Sequence, residues 1–532
     1  MVLIYWIFAA AKICCNTNAA NIMDHNGFNL STRLSSVSDC NWSCDDRSIG
    51  RNCYAAYSLA DNYCRFENLY YDQAGRQFIF LHDGDWNDNL ATNAFVPSKL
   101  AVNAGGVPEH TSATVTVNWI SRDSANFSVL QASVSCVQTI DVPFLIFYPF
   151  LPSNMMHLFH DDLLPLFVSQ RELCDHTKSR SSNQRFVACY GLLFIDSLEI
   201  NADNSNNSDS MLYRIVSRQG IALNNIEKLM EQLVVAKKYG TEYRDVDCSN
   251  VENMSDSEPS NVLIRFKDAV VGVRKDTVWY DYGFSSHQRP MDASRARWTG
   301  MIDDFVEVMR SGLGLDDDDS KKRRNSRRRV IIVSRKHNRL LVNEADLIEM
   351  LIGHFDLTVS VVSLESESIS SAISVISHRS TIGLIGMHGA ALILAMFLPH
   401  DSFFLELFPY AVNPDNYTPY RTMATLPGSQ LIYRSWRNRD YNSTIMYPDA
   451  EKEYGGLRHL SQAEQTRIFN SDEVPPHRCC QDPEWLFRIY QDTIVDITQI
   501  SEIVDELVNV IRKRRNGKTR MHSTNLRDRP EL

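Results

Sequence analysis

Residues 381–409 leave the chain few choices of fold. They read TIGLIGMHGAALILAMFLP and then HDSFFLELFP. The apolar run at 382–385 predicts a strand, and 386–390 a turn of small residues. A helix follows at 390–398 and stops before Pro399, and 403–408 is a second strand. This is one βαβ unit. A helix with no polar face has to be covered on every side, which suits the inner layer of a parallel α/β sheet in a large domain.

The turn carries chemistry as well as geometry. It sits where a strand ends and a helix begins, so backbone N–H groups there lack partners and the helix dipole is positive, a combination that holds anions without a metal. Gly389, Ala390 and Ala391 keep side chains out of the way, and His388 can donate to a phosphate oxygen or a sugar hydroxyl. Glu406 is the lone acid in an apolar strand. A buried carboxylate needs donors, and a ribose diol would supply two. Small residues at such a turn also serve plain close packing, and His388 also reads as an ordinary turn histidine.

Upstream, the run at 316–329 (DDDDSKKRRNSRRR) is the clearest break in the chain and reads as a solvated linker. Regular α/β pattern follows it, with a strand at 330–333, a helix over 344–351 capped by Asn343, and a strand at 357–362. Arg335 and Arg339 lie in the loop after the first of these strands. That is the carboxyl edge, where open α/β sheets bind ligands. Two arginines facing a helix amino end suit a diphosphate, although one of them could serve a surface ion pair.

A second cluster precedes the linker. After the apolar run 144–150 comes NMMHLFHDDLLP at 154–165, which predicts a helix with Ser153 or Asn154 at its N-cap. His157, His160 and Asp161 share one face. They suit a general base, a carboxylate that orients an imidazole, and polar contacts to a sugar, with Asn154 as an acceptor contact. The bland reading is a polar surface helix. A metal is also conceivable on His157 and Asp161, but no third ligand declares itself.

At 532 residues the chain is too long for one ordinary core, and 44% hydrophobic content with 10% aromatics marks a folded protein. A net charge of −11 argues against a nucleic-acid surface. Residues 2–15 form an apolar run broken only by Lys12, closer to the core of a signal peptide than to a full membrane span. A signal peptide or short signal anchor is therefore expected, with possible membrane anchoring by the N-terminus. The 12 cysteines show no zinc spacing and fit disulfides of an oxidising lumen. Sequons stand at Asn29, Asn41, Asn126, Asn206, Asn253, Asn416 and Asn442. No GxSxG elbow, Walker loop or GxGxxG opening appears. Asp83-Gly-Asp85 and Asp245-Val-Asp247 match the DxD pattern of metal-dependent sugar-nucleotide sites, a pattern short enough to arise by chance.

Across most of its length, from Cys53 to Asp496, the chain resembles the family 61 glycosyltransferases. The resemblance is carried by 154–167, by Ser334-Arg335 with Asn338-Arg339 and Asn343-Glu344, by 387–390, 406–415, 417–420 and 436–438, and by Cys479-Cys480 with 483–492. It implies a GT-B fold, two Rossmann-like α/β domains facing a cleft, with the nucleotide on the carboxyl-terminal half. It also implies inverting transfer of GlcNAc from UDP-GlcNAc to the 4-hydroxyl of an O-linked mannose on a protein acceptor of the α-dystroglycan kind, in the lumen of the endoplasmic reticulum. No metal cofactor is then expected. The base would be His160 or Asp161 with His157 beside it; Arg335, Arg339 and residues 388–391 would hold the diphosphate, and Glu406 the ribose.

The expected layout is a leader at 1–25, an acceptor-side domain at 26–310, the linker at 311–329, a donor-side domain at 330–480, helices crossing back at 481–513 and a disordered basic tail at 514–532. Other transfers within the family, GlcNAc to serine or threonine or xylose transfer, remain alternatives, as does a catalytically silent lumenal UDP-sugar-binding protein. Vertebrate relatives carry a fibronectin-type domain after the catalytic part, whereas here a helix over 500–511 and the basic segment follow. The linker has no counterpart in the family pattern.

Overall fold

The computed structural model describes residues 37–40, 64–72, 77–82, 99–101, 114–121, 124–140, 144–147, 154–175, 191–194, 261–271, 278–282, 288–290, 301–313, 315 and 327–527 apart from 427. The leader, both DxD tripeptides, residues 316–326 of the linker, and the sequons at Asn29, Asn41, Asn206 and Asn253 lie outside the described residues. Of the other sequons, Asn126 and Asn442 are exposed and Asn416 is half-buried. Cys479 and Cys480 carry free thiols. Among the described residues no helix is long and apolar enough to cross a membrane.

The chain divides into two compact units, the first running mainly to Val278 and the second from Trp279 onward. Helix Met301–Gly312 belongs to the second.

The first unit is built on a nine-stranded mixed sheet. Strand Cys64–Asp72 pairs antiparallel with Gln77–His82 on one side and with Asn261–Val271 on the other. A Rossmann-like half implies parallel neighbours, and here the sequence forbids them. Only residues 73–76 separate the first two strands, whereas a parallel crossover needs about a dozen residues or more. Strands Val37–Cys40 and Lys99–Ala101 also add antiparallel, to Cys64–Asp72 and Thr114–Ser121, while Gln77–His82 pairs parallel with Thr114–Ser121, and Asn261–Val271 parallel with Val134–Ile140 and Phe144–Phe147. Tyr70, Ile79, Leu81 and Leu263 pack against Phe127 and Leu130 of helix Ala125–Ser133. Phe144–Phe147 lies between Asn261–Val271 and Gly191–Phe194, so the helix with the histidine cluster starts soon after the carboxyl end of an inner strand.

The second unit holds a five-stranded sheet, parallel throughout. Its spatial order is Thr358–Val362, Arg329–Val333, Thr381–Met387, Phe403–Phe408, Ile432–Arg437. Counted along the chain this is 2-1-3-4-5. The order reverses between the first strand and the third, and in such sheets the crevice at their carboxyl ends receives ligands. Val330, Ile332, Leu405 and Leu407 bury one face of the sheet against helix Glu344–Gly353 and against Ile500, Val504, Leu507 and Ile511 of helix Ile497–Arg527. Each such side chain stabilises the fold by roughly 1.5–3 kcal/mol. Helix Ile497–Arg527 continues through most of the basic segment for which a disordered tail was expected.

The βαβ unit forms where the pattern puts it, with one change. Residues Ala390–Phe397 wind as a 3₁₀ helix and not an α-helix, buried from Leu392 onward. Gly383 and Gly386 keep this layer thin, since a Cβ at the first would strike the Phe403 ring and at the second would lie 2.8 Å from Leu392 Cδ2.

Candidate active site

Asn154 opens the helix as expected, its side-chain oxygen accepting the Met156 N–H at 3.0 Å. That bond occupies an atom considered for acceptor contact. After Met155–His157 the helix widens into a π-turn over Leu158–Leu163 and resumes as an α-helix to Asp175. Such widened turns recur at functional sites. This one lets a single carboxylate serve two imidazoles. His157 Nδ1 lies 2.6 Å from Asp161 Oδ2, and His160 Nδ1 lies 2.9 Å from Asp161 Oδ1. Burial works against the Asp161 charge, but the His160 charge and the hydrogen bonds from both rings outweigh it and hold the carboxyl well below its ordinary range. A neutral ring that donates through Nδ1 to the carboxylate has its lone pair on Nε2. His160 is sealed at 0% exposure, whereas His157 retains 8%.

In the second unit the loop after Arg329–Val333 carries Arg335 and Arg339, and the turn after Thr381–Met387 carries His388 and Gly389. These two segments flank the reversal in strand order. Gly389 has φ +153°, a conformation that strains any residue with a side chain. A Cβ there would also collide with Nη1 of both Arg339 and Arg335. Both guanidinium groups thus converge on bare backbone at the start of the 3₁₀ helix, beside Ala390 and Ala391. Arg339 donates to the His388 carbonyl at 3.1 Å. Arg335 Nε is buried with no hydrogen-bond partner among the described residues.

This pair is short of negative charge. Burial lowers the pKa of Arg335, and burial together with the Arg335 charge brings Arg339 down to about 10. Glu365 stands nearby, but its Oε2 accepts the Lys336 N–H at 2.6 Å. An anion is what such a pair lacks.

Glu406, for which a ribose contact was expected, has two partners within the protein. It is fully buried, with Oε1 2.5 Å from His388 Nδ1 and Oε2 accepting the Tyr433 hydroxyl at 2.6 Å. Each oxygen is engaged inside the protein, so this carboxylate orients the His388 ring. The ring stacks on Phe408 with centroids 4.8 Å apart, and Tyr420 meets it edge-on at 5.5 Å.

Comparison with known proteins bears on what these two clusters serve. The Glycosyltransferase 61 profile matches residues 155–405. The chain is 33% identical over 480 residues to protein O-linked-mannose beta-1,4-N-acetylglucosaminyltransferase 2 of Takifugu rubripes, covering 88% of this chain and 72% of the relative. The Xenopus tropicalis and Mus musculus proteins of the same name are 34% and 33% identical, each alignment covering 84% of this chain and 67% of the relative. The chain belongs to the glycosyltransferase 61 family. It is a glycosyltransferase, and the matched stretch takes in His157, Asp161, Arg335, Arg339 and His388.

The structure adds residues that local pattern in this family 61 chain did not single out. Tyr433 reaches Glu406 from the neighbouring strand. Trp485 approaches the His388 ring at 6.3 Å and lies against Tyr417 at 4.2 Å, and the Tyr490 ring lies under the Arg339 guanidinium at 5.0 Å. The helix Pro483–Ile489, which brings Trp485 there, is capped by Asp482, which accepts the Glu484 and Trp485 N–H groups. The Asp-Pro pair at 482–483 is a readable start signal for a helix, but nothing local says what the helix faces.

Proposed function

We propose that this glycosyltransferase moves GlcNAc from UDP-GlcNAc to the 4-hydroxyl of an O-linked mannose on a protein, with inversion, in the lumen of the endoplasmic reticulum. The architecture proposed is GT-B. The observation that carries the reading is the convergence of two guanidinium groups on Gly389 at the reversal point of a parallel sheet, a site for a diphosphate. The acceptor and linkage follow the names of the relatives. The apolar leader, the cysteines without zinc spacing and the sequons support the lumenal placement.

In the proposed mechanism Asp161 stays ionised and positions both imidazoles. His157, which retains access to solvent, takes the acceptor proton at Nε2. The freed oxygen forms its bond to the anomeric carbon as the bond from that carbon to the β-phosphate oxygen breaks. A donor with an α-linked sugar then gives a β-linked product. Arg335, Arg339 and the backbone of residues 388–391 take up the charge growing on the departing diphosphate without a metal, while Glu406 holds the imidazole of His388.

The test is transfer of labelled sugar from UDP-GlcNAc to a synthetic O-mannosyl peptide, with and without EDTA, and with UDP-xylose and an unmannosylated peptide in parallel. A β1,4-linked product that survives EDTA is expected. UDP binding without product would leave the donor site standing and overturn the acceptor. Absence of both would overturn the whole reading.

A further inference from the structure

The segment that follows helix Pro483–Ile489 lies behind the two arginines. Arg339 has a left-handed backbone at φ 58°, which costs on the order of 1 kcal/mol or more for a residue with a side chain, so something must hold it. The hydrogen bonds on either side show what does. Leu340 N–H donates to Asp492 Oδ1 at 2.8 Å, Thr493 N–H to the Leu340 carbonyl at 2.9 Å, and Val342 N–H to the Thr493 carbonyl at 2.9 Å. Val495 N–H donates to Asn343 Oδ1 at 2.8 Å, and Asn343 Nδ2 returns a bond to the Val495 carbonyl at 2.9 Å.

Asn343 therefore stands at the N-cap position of helix Glu344–Gly353 with its side chain engaged elsewhere, which corrects the capping role expected of it. Asp492 is buried, and its second oxygen accepts the Tyr447 hydroxyl at 2.5 Å. Two residues before Asp492, Tyr490 puts its ring under the Arg339 guanidinium. That ring is fixed in turn by Tyr490 N–H on the Leu486 carbonyl at 3.1 Å and by Gln491 Nε2 on the Tyr410 carbonyl at 2.6 Å.

We infer that residues 490–495 are the positioning element of the diphosphate site: Tyr490 carries the Arg339 guanidinium from beneath, and Asp492 fixes the loop from which that side chain projects. The inference rests on the diphosphate reading of the arginine pair. Neither residue is assigned contact with substrate. The ring face attracts a cation most strongly where water is excluded, and it does so without neutralising the charge that a diphosphate requires. A carboxylate at position 490 would pair with Arg339 and compete with the ligand; an aromatic ring orients it and leaves it free to bind.

The experiment is calorimetric binding of UDP and of uridine to the full chain, with donor and acceptor KM measured beside it. The variants are Tyr490→Leu, Tyr490→Phe, Arg339→Ala and the double variant Tyr490→Leu/Arg339→Ala. Tyr490→Leu is expected to weaken UDP binding about tenfold and to raise the donor KM in step. Uridine affinity and acceptor KM should stay put, since neither involves the phosphates. Tyr490→Phe keeps the ring and should restore UDP affinity. In the Arg339→Ala background Tyr490→Leu should add nothing further, because its effect runs through Arg339.

Wild-type UDP affinity in Tyr490→Leu, or full additivity in the double variant, would overturn the inference and leave the arginine site standing if Arg339→Ala alone still weakens UDP. Wild-type UDP affinity in Arg339→Ala would bring down both. For the second member of the element, Asp492→Ala should weaken UDP binding while Asp492→Asn, which keeps an acceptor for Leu340 N–H, retains most of it. Loss of active protein at unchanged UDP affinity would overturn the positioning role of Asp492.

Discussion

The histidine cluster of the first unit is buried and the arginine pair of the second half-buried, and both carry charge after inner strands, yet they are balanced in opposite ways. In the first, one carboxylate answers two imidazoles, and each donor has an acceptor within the protein. In the second, burial and the Arg335 charge lower the Arg339 pKa, and the two guanidinium groups converge on backbone that carries no negative charge. A cluster complete in itself can hold its shape through a catalytic cycle and pass a proton. A cluster that lacks a counter-charge is built to receive one. The first should therefore be indispensable to rate and helpful to stability, and the second indispensable to binding and costly to stability.

The sharpest break in that comparison comes from Asp161→Ala. Leaving two buried imidazoles without their orienting carboxylate should lower kcat by about 10²–10⁴-fold, the range of general-base contributions. UDP affinity should not change, and the unfolding midpoint should fall. Equal loss of UDP affinity would mean that the histidine cluster is not functionally separate from donor binding.

Arg335→Met should act in the reverse sense. UDP affinity should weaken by about tenfold or more as one charge-assisted contact is lost. The nucleotide-free protein, relieved of one of two adjacent half-buried cations, should unfold at the same temperature or a higher one. A lowered midpoint would show that the pair is already balanced without ligand.

The smallest effect concerns acid. Asp161 has a folded-state pKa below that of an unfolded carboxyl, so its contribution to stability is present above about pH 4 and is lost as pH falls below that. Unfolding midpoints followed from pH 6 to pH 3 should show a steeper acid limb for the wild type than for Asp161→Asn. Parallel limbs would mean that the imidazoles do not hold the carboxylate ionised.

What was legible in the sequence was what neighbours along the chain determine. The strands at 330–333 and 382–385 announced themselves as apolar runs. Their loops then fell at a carboxyl edge by simple connectivity, which is how Arg335, Arg339 and His388 could be gathered without a structure. The mixed sheet of the first unit was legible in principle from the four-residue connection at 73–76. The 3₁₀ winding of Ala390–Phe397 was not, because small and apolar side chains permit either helix.

The surroundings of Glu406 were hidden for a different reason. Its environment is set by Tyr433 on the next strand and His388 on the previous one, and register between strands is invisible to local pattern. Local pattern did not single out Tyr490 and Asp492 either, since their importance comes from Arg339 and Leu340, 151 and 152 residues away.

That separation also has a consequence in time. A ribosome adding about 5–20 residues per second delivers Arg339 roughly 8–30 seconds before Asp492 and Val495 exist to brace its loop. During that interval the parallel sheet can assemble from strands already made, but the arginine loop has no backing. Donor binding is therefore among the last properties the growing polypeptide acquires, and a nascent chain interrupted before residue 495 would be released with its arginines made but its nucleotide site unfinished.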